Sequence, residues 1–96
     1  MDFEDKAVVV TGAASGIGRE TALAFARRGA RLAIVDINEE KLQGVRDELE
    51  RMGTEVYSHV VDVSDAAAVE KLCEDVYAEM GRVDVLHNNA GVAVVG

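Results

Sequence analysis

The sequence predicts a parallel α/β fold, and three observations carry that expectation. Four apolar runs, "AVVVT" (Ala7–Thr11), "RLAIVD" (Arg31–Asp36), "EVYSHVVDV" (Glu55–Val63) and "VDVLHNN" (Val83–Asn89), read as strands. They lack the clean two-residue alternation of a strand with one wet face, which suggests cover on both faces, as in parallel sheets. Helical apolar spacings fill the intervals between them. A glycine-rich stretch, "TGAASGIG" (Thr11–Gly18), joins the first strand to the first helix.

The first helix begins in the glycine stretch and stops at Gly29, with Ile17, Thr21, Ala24, Phe25 and Arg28 sharing one face. The second carries Leu42, Val45, Leu49 and Met52 at spacings of three and four, which form one stripe. Asn38 suits its N-cap and Gly53 its C-terminal stop. The third carries Val69, Leu72, Cys73, Val76 and Met80 on one face, capped by Ser64 or Asp65 and ended by Gly81. Strand and helix therefore alternate, which implies right-handed crossovers in one parallel sheet. Three strands wound outward and a crossover back past the first give the order 3-2-1-4. Two helices then cover one face and the third covers the other. No linker, repeat or low-complexity segment is evident, and proline is absent.

Composition narrows the function classes. The 96 residues suit one small domain, 49% hydrophobic and 29% charged. The net charge of −8, with no run of Lys or Arg, argues against a nucleic-acid partner. No stretch is long and apolar enough to suggest a membrane span. The start "MDFED" is not that of a secretory signal. Cys73 is the one cysteine, so no internal disulfide forms, and a reducing, cytoplasmic location is expected. An acidic chain can still hold one anion through backbone dipoles.

The glycine stretch supplies that possibility. A parallel strand delivers the chain to the carboxyl edge of the sheet, where the next helix begins with unpaired N–H groups. Those groups and the helix dipole favour a phosphate. Gly12 permits the tight turn, Gly16 permits close approach of a diphosphate, and Gly18 lets the helix pack near the strand. Ser15 adds a hydroxyl donor. The spacing is G-x-x-x-G-x-G, and three glycines alone can simply make a turn. Their place between strand and helix is what the phosphate mechanism requires. Asp36 ends the second strand, 18 residues after Gly18, where an acidic group can bond both adenosine ribose hydroxyls. It would repel a 2′-phosphate. Neither Ile37 nor Ala14 offers a compensating cation, so NAD is favoured over NADP. The alternative is that Asp36 caps the next helix or is merely solvated.

"TGAASGIG" matches the T-G-x-x-x-G-x-G motif of the short-chain dehydrogenase/reductase family, and "DV" (Asp62–Val63) and "NNAG" (Asn88–Gly91) fall where that family carries its next two motifs. The chain resembles this family along its whole length. The resemblance implies a Rossmann-type doubly wound sheet and NAD(P)-dependent interconversion of an alcohol and a carbonyl. It implies that Thr11, Gly12, Ser15, Gly16, Ile17 and Gly18 wrap the cofactor, with Ile17 at the diphosphate. It places Asp36, with Ile37 beside it, at the ribose, Asp62 at the adenine amino group and the Val63 backbone at a ring nitrogen. Asn89, Ala90 and Gly91 line the cofactor beside the central strand. All these residues fall at carboxyl ends of expected strands, where open α/β sheets bind ligands.

The family's catalytic serine and Tyr-x-x-x-Lys pair lie beyond "NNAG". Tyr57 and Tyr77 are followed four residues on by Val61 and Gly81, so no catalytic residue is assigned. His59 and His87 read as strand residues, with no metal-ligand spacing. Cys73 reads as a packed thiol. Glu39, Glu40, Asp47, Glu48 and Glu50 read as a solvated helix face. Arg19 either approaches a phosphate or projects to solvent.

The leading expectation is the cofactor-binding half of an NAD-dependent oxidoreductase acting on a small alcohol or carbonyl, a homo-oligomer in complete form. A non-catalytic dinucleotide-binding module and a structural or designed half-fold are the alternatives. The chain is further expected to be part of a longer polypeptide, aggregation-prone, dimeric or partly folded by itself. That expectation rests on the two-sided apolar first strand, the open edge of the fourth and the apolar tail "GVAVVG".

Overall fold

The computed structural model of the chain describes residues 2–89. Seven elements alternate: β1 (Ala7–Thr11), α1 (Gly16–Arg27), β2 (Arg31–Asp36), α2 (Glu39–Arg51), β3 (Val56–Val60), α3 (Ala66–Met80) and β4 (Val85–Asn88). The strands form one sheet in the order β3-β2-β1-β4, as the winding predicts. Every pairing is parallel, with Val9 opposite both Ala33 and Leu86, and Ile34 opposite Ser58.

Alternate residues of the central strands serve two cores. Val8, Val10, Leu32 and Ile34 meet Ala22 and Leu23 of α1 and Leu42, Val45 and Leu49 of α2. Ala7, Val9, Ala33 and Val35 face the other way and meet Leu72, Val76 and Met80 of α3. Two helices thus cover one face and one covers the other. β1 is buried along its whole length because both faces and both edges are occupied.

The outer strands depart from the expectation of cover on both faces. β3 and β4 are shorter than their apolar runs, and Val60 and Leu86 are 52% and 65% exposed. Each of these strands has one sheet neighbour among the described residues, so its far edge lacks a strand partner there. Under Leu86, between β4 and α3, lies an apolar hollow of about 430 Å³. Cys73 lines that hollow and is exposed, so it is not the packed thiol expected from its stripe.

Helix ends follow local chemistry. The Asn38 side chain accepts from the Lys41 N–H, and the Asp65 carboxylate accepts from Ala67 and Ala68 N–H. Gly81 closes α3 in the left-handed region, at φ 78°. The stripe of α2 ends one residue early: Leu42, Val45 and Leu49 are buried, but Met52 is the C-cap and 44% exposed. The face of α1 is also rotated from expectation. Gly18, Ala22 and Leu23 are buried, whereas Ile17 is 74% exposed. Gly18 packs on the turn at Gly12, and the larger Ile17 faces outward.

Side chains tie the amino edge of the sheet. The Asp84 carboxylate accepts from the Ala7 N–H at 2.8 Å, and the Asp84 N–H donates to the Ala7 carbonyl at 2.8 Å. Arg82 pairs with the same carboxylate at 2.9 Å. Phe3 stacks edge-on against Phe25, with ring centroids 4.9 Å apart, and so anchors the segment before β1.

Candidate functional site

Because all four strands are parallel, their carboxyl ends share one edge. Thr11, Asp36, Val60 and Asn88 end the strands there. Backbone bonds carry the sheet slightly past each end: Ala13 N–H donates to Val35, Val61 N–H to Asp36, and Asn89 N–H to Thr11. The expected site residues among the described ones therefore gather near this edge: Thr11, Gly12, Ser15, Asp36, Ile37, Asp62, Val63 and Asn89 lie at strand ends or in the loops that leave them, and Gly16, Ile17 and Gly18 form the first turn of α1. Ala90 and Gly91 lie outside the described residues.

The glycine loop has a distinct division of labour. Gly12 and Gly16 adopt φ of 65° and 59°, a region costly for side-chain-bearing residues. A Cβ at Gly16 would meet open space. A Cβ at Gly18 would overlap the Gly12 carbonyl oxygen. The expectation for Gly18 was close packing on the strand; its tightest neighbour is instead the turn itself. Ser15 is the N-cap of α1 and makes no side-chain capping bond, unlike Asn38 and Asp65 at the other two described helices. The first-turn amides of α1 thus have no side-chain acceptor from their cap.

Asp36 binds this loop directly. Its Oδ2 accepts from the Ala14 N–H at 3.0 Å and its Oδ1 from the Asn38 N–H at 2.9 Å. Sequence reasoning offered a capping role as an alternative for Asp36. The bond to Asn38 is of that local kind, but Asn38 supplies the helix cap. Each carboxylate oxygen keeps a second lone pair. Asp36 and Ile37 border a crevice of about 180 Å³ shared with Gly12, Asp62 and Val63. Asp62 Oδ1 accepts from the Ser64 hydroxyl at 2.6 Å and its N–H at 2.9 Å. Those two bonds, the hydroxyl first, hold the Asp62 carboxyl below its ordinary range. The carboxylate therefore stays an acceptor at neutral pH.

The central strand end carries two further polar groups. The Thr11 hydroxyl donates to Asn88 Oδ1 at 2.6 Å, bridging β1 and β4. Asn89 Nδ2 is buried and has no hydrogen-bond partner among the described residues. An orphaned donor beside the loop, together with the clear space at Gly16, fits a polar ligand laid across this edge. The residues present therefore suit a dinucleotide.

Arg19 is partly exposed and paired with carboxylates, beside an open hollow that it lines with Gly16 and Ile17. Its Nε and Nη2 bond Glu48 Oε1 and Oε2 at 2.8 and 2.5 Å, and Nη1 reaches Glu20 at 2.9 Å. Glu48 correspondingly leaves the solvated face assigned to it. The pair holds the Arg19 guanidinium above and the Glu48 carboxyl below their ordinary values. A hydrophobic-period reading has no means of finding this contact, because it joins two helices.

No helix among the described residues is long and apolar enough to cross a membrane. His59 and His87 sit on β3 and β4, and His59 pairs with Glu79 at 2.8 Å.

Comparison with known proteins agrees with this architecture. Residues 6–96 match the family model described as short chain dehydrogenase. The "Probable oxidoreductase EphD" of Mycobacterium bovis is 52% identical over 94 residues, covering 98% of this chain and 16% of that protein. The structure of NAD+-bound xylitol dehydrogenase superimposes with a TM-score of 0.92 at 37% identity, covering 95% of this chain and 35% of that one. A metagenomic short-chain oxidoreductase in complex with NADP superimposes with a TM-score of 0.90 at 39% identity, covering 96% of this chain and 42% of that one. The chain thus spans well under half the length of these relatives, and both nicotinamide dinucleotides occur among its neighbours. With its parallel 3-2-1-4 sheet, glycine loop and matched family model, the chain belongs to the short chain dehydrogenase family.

Proposed function

We propose that this chain is the cofactor-binding part of an NAD-dependent oxidoreductase that interconverts a small alcohol and a carbonyl. One observation carries the choice of NAD: the Asp36 carboxylate closes on the glycine loop through Ala14 and borders a crevice that no Lys or Arg lines among the described residues. An anion there accepts bonds from free ribose hydroxyls and repels a 2′-phosphate. Held there, the cofactor would supply hydride-transfer chemistry. The chain's own residues bind and orient. Amides of the Gly12–Gly18 loop and the Ser15 hydroxyl hold the diphosphate, with Ile17 against it. Asp36 and Ile37 hold the ribose, Asp62 and the Val63 backbone hold the adenine, and Asn89, Ala90 and Gly91 line the cofactor beside β1.

Tyr57 and Tyr77 lack a lysine four residues on, so neither is offered as a proton donor. The full-length protein carries out this interconversion in the cytoplasm and as a homo-oligomer. Titration calorimetry of that protein with NAD and NADP tests the cofactor, and turnover with a panel of alcohols tests the chemistry. Tighter binding of NADP would overturn the role of Asp36. Dinucleotide binding without any turnover would favour a non-catalytic binding module.

A further inference from the structure

The α1 N-terminus is held on two sides. On the loop side, Gly18 lies so close to the Gly12 carbonyl that even a Cβ is excluded. On the α2 side, Arg19, the next residue, is gripped by Glu48 through two bonds of 2.8 and 2.5 Å. Both partners are only about a third exposed, at 36% and 33%. A cation in the first turn opposes the helix dipole and would be an obvious phosphate ligand. Here the guanidinium presents its planar fork to a carboxylate instead, a geometry that fixes orientation as well as distance. The same α2 starts three residues after Asp36, whose Oδ2 is bonded to Ala14 in the loop. A tie between α1 and α2 therefore sets how the phosphate-facing amides lie relative to Asp36.

We propose that Glu48 is a positioning residue for the dinucleotide: by clamping Arg19 it holds the first turn of α1 in register with Asp36, and Arg19 does not itself contact the phosphates. This rests on the proposed dinucleotide site. Misplacement of binding groups by a fraction of an ångström is enough to weaken a ligand held by several of them at once.

The test is a double-mutant cycle in the full-length protein, with Arg19→Gln, Glu48→Gln and the double variant, titrated with NAD and with adenosine. Each single variant should weaken NAD roughly three- to fivefold, the scale of one partly exposed ion pair. The double variant should be no weaker than either single one. Adenosine, which lacks the diphosphate, should bind all four proteins alike. Thermal unfolding midpoints check that each variant is folded, and Arg19→Lys, which keeps the charge but loses the fork, replaces any that is not. It should lie between wild type and Arg19→Gln. Tighter NAD binding by Glu48→Gln would mean that a freed Arg19 reaches the phosphates, which overturns the proposal. So would additive losses, unchanged NAD affinities, or a parallel loss of adenosine. Failure of the wild type to bind NAD or NADP would overturn the site reading itself.

Discussion

The Asp36 carboxylate accepts a hydrogen bond from the Ala14 backbone N–H at 3.0 Å, across 22 residues of sequence. The end of β2 and the glycine loop after β1 are thereby joined by a side-chain bond. Asp36 consequently has two jobs, one in the loop and one proposed at the ribose.

Replacing Asp36 with Ala should weaken NAD binding roughly ten- to hundredfold, the scale of hydrogen bonds to a charged group. It should also orphan the Ala14 N–H and lower stability. Adding Arg at Ile37 should shift preference towards NADP by supplying a cation for the 2′-phosphate. Calorimetric Kd values for both dinucleotides, alongside thermal unfolding, check the two effects separately.

Gly16 and Gly18 should fail differently. Gly16→Val meets open space but strains a residue at φ 59°, costing about 1–2 kcal/mol. That variant should remain folded and lose dinucleotide binding. Gly18→Ala drives a Cβ into the Gly12 carbonyl and should cost about 3 kcal/mol or more of stability. Chemical denaturation and NAD titration, run side by side, separate a folded non-binder from an unfolded protein.

Acid stability should depend on Asp84. Its carboxyl is held down from 3.8 to about 2, first by Arg82 and then by the Ala7 N–H. A depressed folded-state value contributes stability that is present above the ordinary pKa and lost as pH falls through the folded one. The loss should therefore fall between pH 3.8 and about 2. Asp84→Asn should be less stable at neutral pH and show a shallower loss in that acid window. Urea midpoints measured from pH 6 down to about 2 provide the check.

Two neighbours on α2 should differ sharply. Leu49 is fully buried, so Leu49→Ala should cost about 2–5 kcal/mol. Met52, expected in the same stripe but found at the C-cap, should cost no more than about 0.5 kcal/mol when changed to Ala. Denaturant midpoints of the two variants measure the difference.

The amino-acid sequence alone determined the class of fold, the strand order and most element ends. These depend on short-range chemistry. β-branched runs such as Val8–Val10 favour strands, Asn38 and Asp65 satisfy the first helical amides, and Gly81 accepts a left-handed turn. The strand ends in turn brought Thr11, Gly12, Asp36 and Asp62 to one edge, because parallel strands can end nowhere else.

Only the tertiary structure decided which side chains face one another between elements. A period of 3.6 groups Ile17 with Thr21 and Phe25, yet α1 packs with Gly18 and Ala22 inward and leaves Ile17 outside. The same period puts Cys73 on a stripe, but no described element covers it there. Arg19 finds Glu48, and Asp36 finds Ala14, through the packing of α1 against its neighbours and the turn into it. Local propensity sets each element; the rotation and separation of packed elements set such contacts, and no single segment encodes those.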